Sequence, residues 1–262
     1  LSDDQVANGI ITYSSGNHAQ AVALAGKLRD VRVVVVMPTD APQVKRDGAE
    51  RLGAEIVLEG TTSVERMQRA EIIAEEEGLI IVPPFDHRHI IAGQGTVGLE
   101  VARAWEDVDM VLAPIGGGGL ASGVAAAVKR ILPSAKVIGI EPEGAASMRR
   151  ALDNGSPILL PKVETIADGL KPVIAGQLTF EHANDLMDDV VTVDDESIRD
   201  AATMLVHKHK LVVEYSGAAT TAALLSARVK CEGGRVAVVI SGGNHGMLAE
   251  IAECPATPLG AT

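Results

Sequence analysis

Short runs of β-branched and aliphatic residues return along the whole chain at intervals wide enough for a helix, and this alternation restricts the fold more than any other feature. Residues 9–13, 31–37, 55–58 and 79–82 read as strands, and a second series follows at 110–115, 136–140, 190–193 and 235–240. The runs are apolar and are spaced by helical patterns, which is the signature of parallel sheets covered on both faces. The expectation is an α/β chain of two lobes, each an open, mostly parallel twisted sheet flanked by helices. The segment Pro83-Pro84-Phe85-Asp86 ends the first series, and paired prolines interrupt both helix and strand. That puts a small lobe over residues 9–84 and a large lobe over residues 85–262. With 262 residues there is chain enough for two cores, and at 47% hydrophobic but only 2% aromatic those cores must be aliphatic.

Three polar or glycine-rich turns follow predicted strands, and in sheets of this kind ligands sit beyond the carboxyl ends of the strands. The run Ile115-Gly116-Gly117-Gly118-Gly119-Leu120 joins the strand at 110–115 to an alanine-rich helical stretch at 120–132. Four residues without Cβ atoms let successive backbone N–H groups converge on one anion at the positive end of a helix, so a phosphorylated ligand is expected. Glycine also serves such turns through packing alone. Ser14-Ser15-Gly16-Asn17-His18-Ala19-Gln20 opens a helix after the strand at 9–13. Its hydroxyls, amide and free N–H groups suit a carboxylate, and they equally suit a plain helix cap. Ile240-Ser241-Gly242-Gly243-Asn244 places a hydroxyl at the end of the last strand.

Charge narrows the partners. Thirty-five acidic against 23 basic residues give a formal net charge of −12, which repels nucleic-acid phosphates and anionic lipid, so neither nucleic acid nor membrane is an expected partner and a small molecule is. No stretch is long and apolar enough to span a bilayer, and Leu1-Ser2-Asp3-Asp4 lacks the basic-then-apolar character of a secretion signal. Cys231 and Cys254 form no metal pattern and no disulfide framework, in keeping with a reducing cytoplasm.

Taken in this order, the three motifs resemble those of the fold type II pyridoxal-phosphate enzymes, and within them the serine/threonine dehydratases (threonine ammonia-lyases) and serine racemases. Further segments extend the resemblance over essentially the whole chain: Ile91-Ala92-Gly93-Gln94-Gly95-Thr96, Gly139-Ile140-Glu141-Pro142, Thr165-Ile166-Ala167-Asp168-Gly169 and Val190-Val191-Thr192-Val193. The resemblance implies a tryptophan synthase β-like fold and pyridoxal 5'-phosphate as cofactor. It implies that Gly116, Gly117, Gly118, Gly119 and Leu120 hold the cofactor phosphate, that Asn17 meets the phenolic oxygen, and that Ser241 faces the ring nitrogen. Gly169 and Glu214 would line the ring's edge. Ser14, Ser15, Asn17 and His18 would take the substrate carboxylate, with Ser15 also standing on the face that racemases use for acid–base chemistry. Arg66 matches a position that approaches substrate on closure of the small lobe, although a solvated helix charge explains it as well.

Two departures from the pattern matter. The family's Schiff-base lysine belongs to a segment upstream of Ser-Ser-Gly-Asn, and none of Lys27, Lys45, Lys129, Lys136, Lys162, Lys171, Lys208, Lys210 or Lys230 stands in a comparable context. The expectation is that the lysine segment precedes Leu1 in a longer protein. Glu141 and the backbone carbonyl of Ala145 match a divalent-cation site of serine racemase-like members, but Ser147 stands where a carboxylate is expected, which weakens that metal assignment. A monovalent cation is the alternative there. The resemblance further implies a homodimer without a C-terminal regulatory domain, acting on an amino acid. Removal of water and ammonia from L-serine or L-threonine is the expected activity. Serine racemisation, 3-hydroxyaspartate dehydration, or noncatalytic binding of pyridoxal phosphate or another phosphometabolite are the alternatives.

Overall fold

The computed structural model describes residues 1–14, 16–231 and 233–244. The chain begins with β1 (Ile10–Tyr13), α1 (Asn17–Arg29), β2 (Val33–Met37), α2 (Gln43–Arg51), β3 (Glu55–Leu58), α3 (Ser63–Glu77) and β4 (Ile80–Ile81). It continues through α4 (Arg88–Ala104), β5 (Met110–Pro114), α5 (Gly119–Ile131), β6 (Lys136–Pro142) and α6 (Ser147–Asn154). Then come α7 (Gln177–Leu186), β7 (Asp189–Val193), α8 (Asp195–His209), α9 (Tyr215–Leu225) and β8 (Val236–Val238), with short 3-10 turns at Glu143–Ala145 and Asp168–Leu170.

Among the described residues the strands form two four-stranded sheets, ordered β3-β2-β1-β4 and β7-β6-β5-β8, and every pairing is parallel. The α/β architecture expected from the alternation is therefore the one observed. In β2 the run of four valines and a methionine is buried throughout, as a central strand covered on both faces must be. Side chains alternate across a strand, so Val33, Val35 and Met37 join one core with α1 residues Ala19, Val22 and Ala23. Val34 and Val36 join the opposite core with Ala70 and Ile73 of α3. The second sheet repeats the plan: Val111, Ala113 and Val137 face a core with α5 and α7, whereas Leu112, Ile138 and Ile140 face α8 and α9. Alanine recurs on the buried faces of the helices; α9, for example, buries Ala218, Ala219, Ala222 and Ala223 completely.

The junction at Pro83-Pro84-Phe85-Asp86 is anchored. The Asp86 carboxylate accepts from the Gln177 and Thr179 backbone N–H groups at 3.0 and 3.1 Å, capping α7 from a distance in sequence. No helix among the described residues is long and apolar enough to cross a membrane.

Candidate active site

The turn from β1 into α1 is polar and close to α2, which packs on the same face of the sheet as α1. Ser14 Oγ accepts from Gly16 N at 3.3 Å, and the N-cap residue of α1 is Gly16, which has no side chain to cap it. A Cβ added at Gly16 would stand 2.3 Å from Lys45 Cδ, so only glycine lets the Lys45 side chain pass. Ser15 lies outside the described residues.

The turn from β5 into α5 is shaped by Gly118, whose φ of 97° lies in the left-handed region that residues with a Cβ rarely adopt. Thr179 Oγ1 donates to Gly117 O at 2.7 Å, and Ser122 Oγ donates to Thr179 O at 3.3 Å, so α7 stitches the turn in place. Phe85 lies against Gly117 and Gly119, which gives these glycines a packing role as well. No side chain caps α5, and its first N–H groups face the carboxyl end of the sheet with the positive end of the helix dipole behind them. Leu120, the second residue of α5, packs against the buried core.

The remaining residues meet in one network across the two sheets. Glu214, at the start of α9, is 2% exposed; its Oε1 accepts from Asn17 Nδ2 at 2.6 Å and its backbone N–H donates to Gly242 O at 3.0 Å. Asn17 Oδ1 in turn accepts from Asn244 Nδ2 at 2.6 Å. Gly169 N donates to Ser216 Oγ at 2.9 Å, and a Cβ on Gly169 would stand 3.5 Å from Glu214 Oε1. Gly169 O is the atom nearest to a Cβ built on Gly116, at 2.9 Å. Gly116, Gly169, Glu214 and Asn17 thus form a continuous wall from the glycine turn to α1. Ser241, exposed, follows β8 by three residues and precedes Gly242, whose carbonyl accepts from Glu214 N.

One member of this wall escaped the reading of the sequence. Lys45 projects from α2 into the network, 2% exposed, with Nζ 2.7 Å from Asp168 Oδ2 and 3.4 Å from Glu214 Oε2. Its signal is in the helical spacing: positions 45, 48, 49 and 52 form one stripe, filled by Gly48, Ala49 and Leu52, and a lysine in an apolar stripe needs a buried partner.

Electrostatics divide the candidates. His18 is half-buried with Nε2 fully covered and without a hydrogen-bond partner among the described residues; burial pushes the imidazole down to about 4, against a smaller upward pull from the Val82 backbone. The ring is neutral at pH 7. Glu141 is fully buried at the end of β6, where Oε1 accepts from Met148 N and Oε2 from Arg149 N, both at 2.8 Å. Burial raises its carboxyl to about 7, with those N–H groups opposing. Ala145 lies in the adjoining 3-10 turn, and among the described residues no three His, Cys, Asp or Glu side chains gather as a metal site. Arg66 is buried on α3, its Nε without a hydrogen-bond partner and burial lowering its pKa; no hydrogen bond or ion pair among the described residues joins it to the Asn17–Glu214 network.

Residues 2–242 match the family model described as "Pyridoxal-phosphate dependent enzyme". The chain belongs to this family. Among relatives of this pyridoxal-phosphate-dependent enzyme, the serine racemase of Oryza sativa subsp. indica is 42% identical over 249 residues, covering 93% of this chain and 73% of the relative. The L-threonine ammonia-lyase of Thermotoga maritima is 41% identical over 244 residues, covering 93% of this chain and 61% of the relative. In three dimensions the enzyme superimposes on maize serine racemase with a TM-score of 0.90 at 39% identity, over 96% of this chain and 78% of that one. The processed form of threonine deaminase isoform 2 from Solanum lycopersicum gives 0.86 at 38% identity, over 97% and 75%. The chain therefore spans about three-fifths to four-fifths of the length of these relatives.

Proposed function

We propose that this chain carries the binding machinery of a pyridoxal-phosphate-dependent dehydratase, an ammonia-lyase that removes water and ammonia from L-serine or L-threonine to leave a 2-oxo acid. The observation that carries the reading is the wall formed by Gly116, Gly169, Glu214 and Asn17 beside an uncapped helix N-terminus. These residues fit the cofactor. The left-handed Gly118 and the start of α5, whose N-cap glycine carries no side-chain cap, suit a phosphate, and Glu214 Oε2 is a buried carboxylate oxygen with no hydrogen-bond partner among the described residues. Similarity to an L-threonine ammonia-lyase at 41% identity supports the reaction class.

In this reading the backbone of Gly116 to Gly119, with Leu120, holds the phosphate, Asn17 donates to the phenolic oxygen, and Gly169 and Glu214 border the ring. Ser241 faces the ring nitrogen, and as a neutral hydroxyl it does not force that nitrogen to stay protonated, which tempers the ring for elimination. When bound, the cofactor supplies an electron-withdrawing ring that stabilises negative charge at the substrate Cα. Ser14, Ser15, Asn17 and His18 receive the substrate carboxylate at the start of α1, where backbone N–H groups carry the attraction because His18 is neutral. Ser15 is placed by the motif as an acid or base on the opposite ring face. The reading extends to a division into lobes at residues 84 and 85 and to a cytoplasmic homodimer. Serine racemisation is the second reading, supported by the 42% identical racemase.

The test is incubation of the chain, joined to the upstream segment expected to carry the Schiff-base lysine, with pyridoxal phosphate and L-serine or L-threonine, measuring ammonia, 2-oxo acid and substrate chirality together. Equimolar ammonia and 2-oxo acid are expected. Accumulation of D-serine without ammonia would favour the racemase, and retained cofactor with neither product would leave a noncatalytic binder.

A further inference from the structure

Lys45 is among the largest fully buried side chains of the molecule, and an ammonium taken out of water is costly unless opposite charge and hydrogen bonds meet it. Here it is met by two carboxylates that α2 does not own: Asp168, in the 3-10 turn beside Gly169, and Glu214, at the start of α9. The lysine stem reaches them only by passing Gly16, the residue immediately before Asn17. Glu214 divides its two oxygens. Oε1 takes the Asn17 amide, while Oε2 has Lys45 Nζ at 3.4 Å as its ion-pair partner.

An asparagine amide has two N–H hydrogens and one carbonyl oxygen. The Asn17 oxygen is engaged by Asn244 and one Nδ2 hydrogen by Glu214, which leaves a single donor hydrogen whose direction is set by the other two bonds. Whatever fixes the Glu214 carboxylate therefore fixes that donor. We propose that Lys45 is a positioning residue of the cofactor site, holding Glu214, and through it Asn17, in the orientation that meets the phenolic oxygen of the ring. The assignment rests on the pyridoxal-phosphate reading of the site. Lys45 also sets the charge beside that oxygen: one ammonium against two carboxylates gives the cluster a formal charge of −1, and the lysine is its only cation among the described residues.

The test uses the full chain and 4'-deoxypyridoxine 5'-phosphate, which has no aldehyde and so reports only the noncovalent cradle. Its dissociation constant is measured by equilibrium dialysis, and the phenol ionisation of the bound analogue by absorbance across pH. Lys45→Met is expected to weaken binding by about tenfold or more, the scale of one lost charge-assisted hydrogen bond, and to move the phenol titration to higher pH. Asp168→Asn, which removes a negative charge at a half-buried position, is expected to move it to lower pH. A merely structural lysine would lower the unfolding temperature of Lys45→Met with affinity and phenol titration unchanged, and that result overturns the proposal. If Lys45→Met does not fold, an unmoved phenol titration in Asp168→Asn overturns it instead. Failure of the unmodified protein to bind the analogue would overturn both the proposal and the cofactor reading beneath it.

Discussion

Gly118 is the residue at which backbone conformation and site geometry are hardest to separate. At φ 97° a side chain is strained, and a Cβ there would also stand 2.7 Å from Thr179 Cβ and 2.9 Å from Met148 Cε. Gly118→Ala is expected to cost about 1–3 kcal/mol in urea unfolding and to weaken binding of pyridoxal phosphate; an unchanged midpoint and affinity would contradict the account. His18 carries a pH prediction. Its imidazole titrates near 4 in the fold against an ordinary value of 6.5, so the fold favours the neutral ring. Its contribution to stability is complete above pH 6.5 and is lost as pH falls toward 4. Glu141, raised to about 7 from 4.5, works in the opposite sense, contributing fully below 4.5 and losing that contribution as pH rises toward 7. Comparing unfolding free energies of the wild type and His18→Gln at pH 7 and pH 5 cancels the Glu141 term; the wild type is expected to lose more on acidification, and equal losses would remove His18 from the account. Motif residues such as Asn17 and Gly116 were legible because polar and glycine-rich turns announce themselves after strands. Lys45 was not, because its role comes from partners 123 and 169 positions away.

At the scale of elements, helices away from the site are tied down at their starts by side chains. Glu141 caps α6 through two backbone N–H groups, and Thr62 and Glu65 close a reciprocal capping box at the start of α3. Glu141→Ala leaves one buried and one half-buried N–H group without acceptors and is expected to cost about 2–4 kcal/mol, against about 1 kcal/mol for the half-buried Thr62→Ala. Urea midpoints check the order, and the reverse order would contradict it. The strands were legible almost to the residue because parallel, doubly covered strands need unbroken apolar runs. Their ends were less so. Arg32 falls before β2 although its carbonyl accepts from Ile10 N at 2.9 Å, and Val239 lies beyond β8 although its N–H still donates to Leu112 O at 3.0 Å. Glu141 and Pro142 extend β6 past the expected limit through pairing with Thr192 and Val193, information that resides in a strand 51 residues away.

Across the whole molecule, the first sheet contributes Asn17 and Lys45 and the second contributes the glycine turn, Gly169 and Glu214, so a ligand in the site contacts both. Binding that favours the folded chain raises its stability by mass action, by about 2.7 kcal/mol at a hundredfold excess over the dissociation constant. For a chain of this size, pyridoxal phosphate at that excess is expected to raise the unfolding temperature by roughly 5–10 °C in one cooperative transition; a rise confined to part of a split transition would show that only one sheet holds it. The most direct test of the site is the backbone amide spectrum of the isotopically labelled chain titrated with pyridoxal phosphate. The account predicts the largest shifts at Gly116, Gly117, Gly118, Gly119 and Leu120, with Asn17 and Gly169 moving at the same ligand concentrations. Absence of shifts at the glycine turn, or shifts confined to residues away from both helix N-termini, would contradict it.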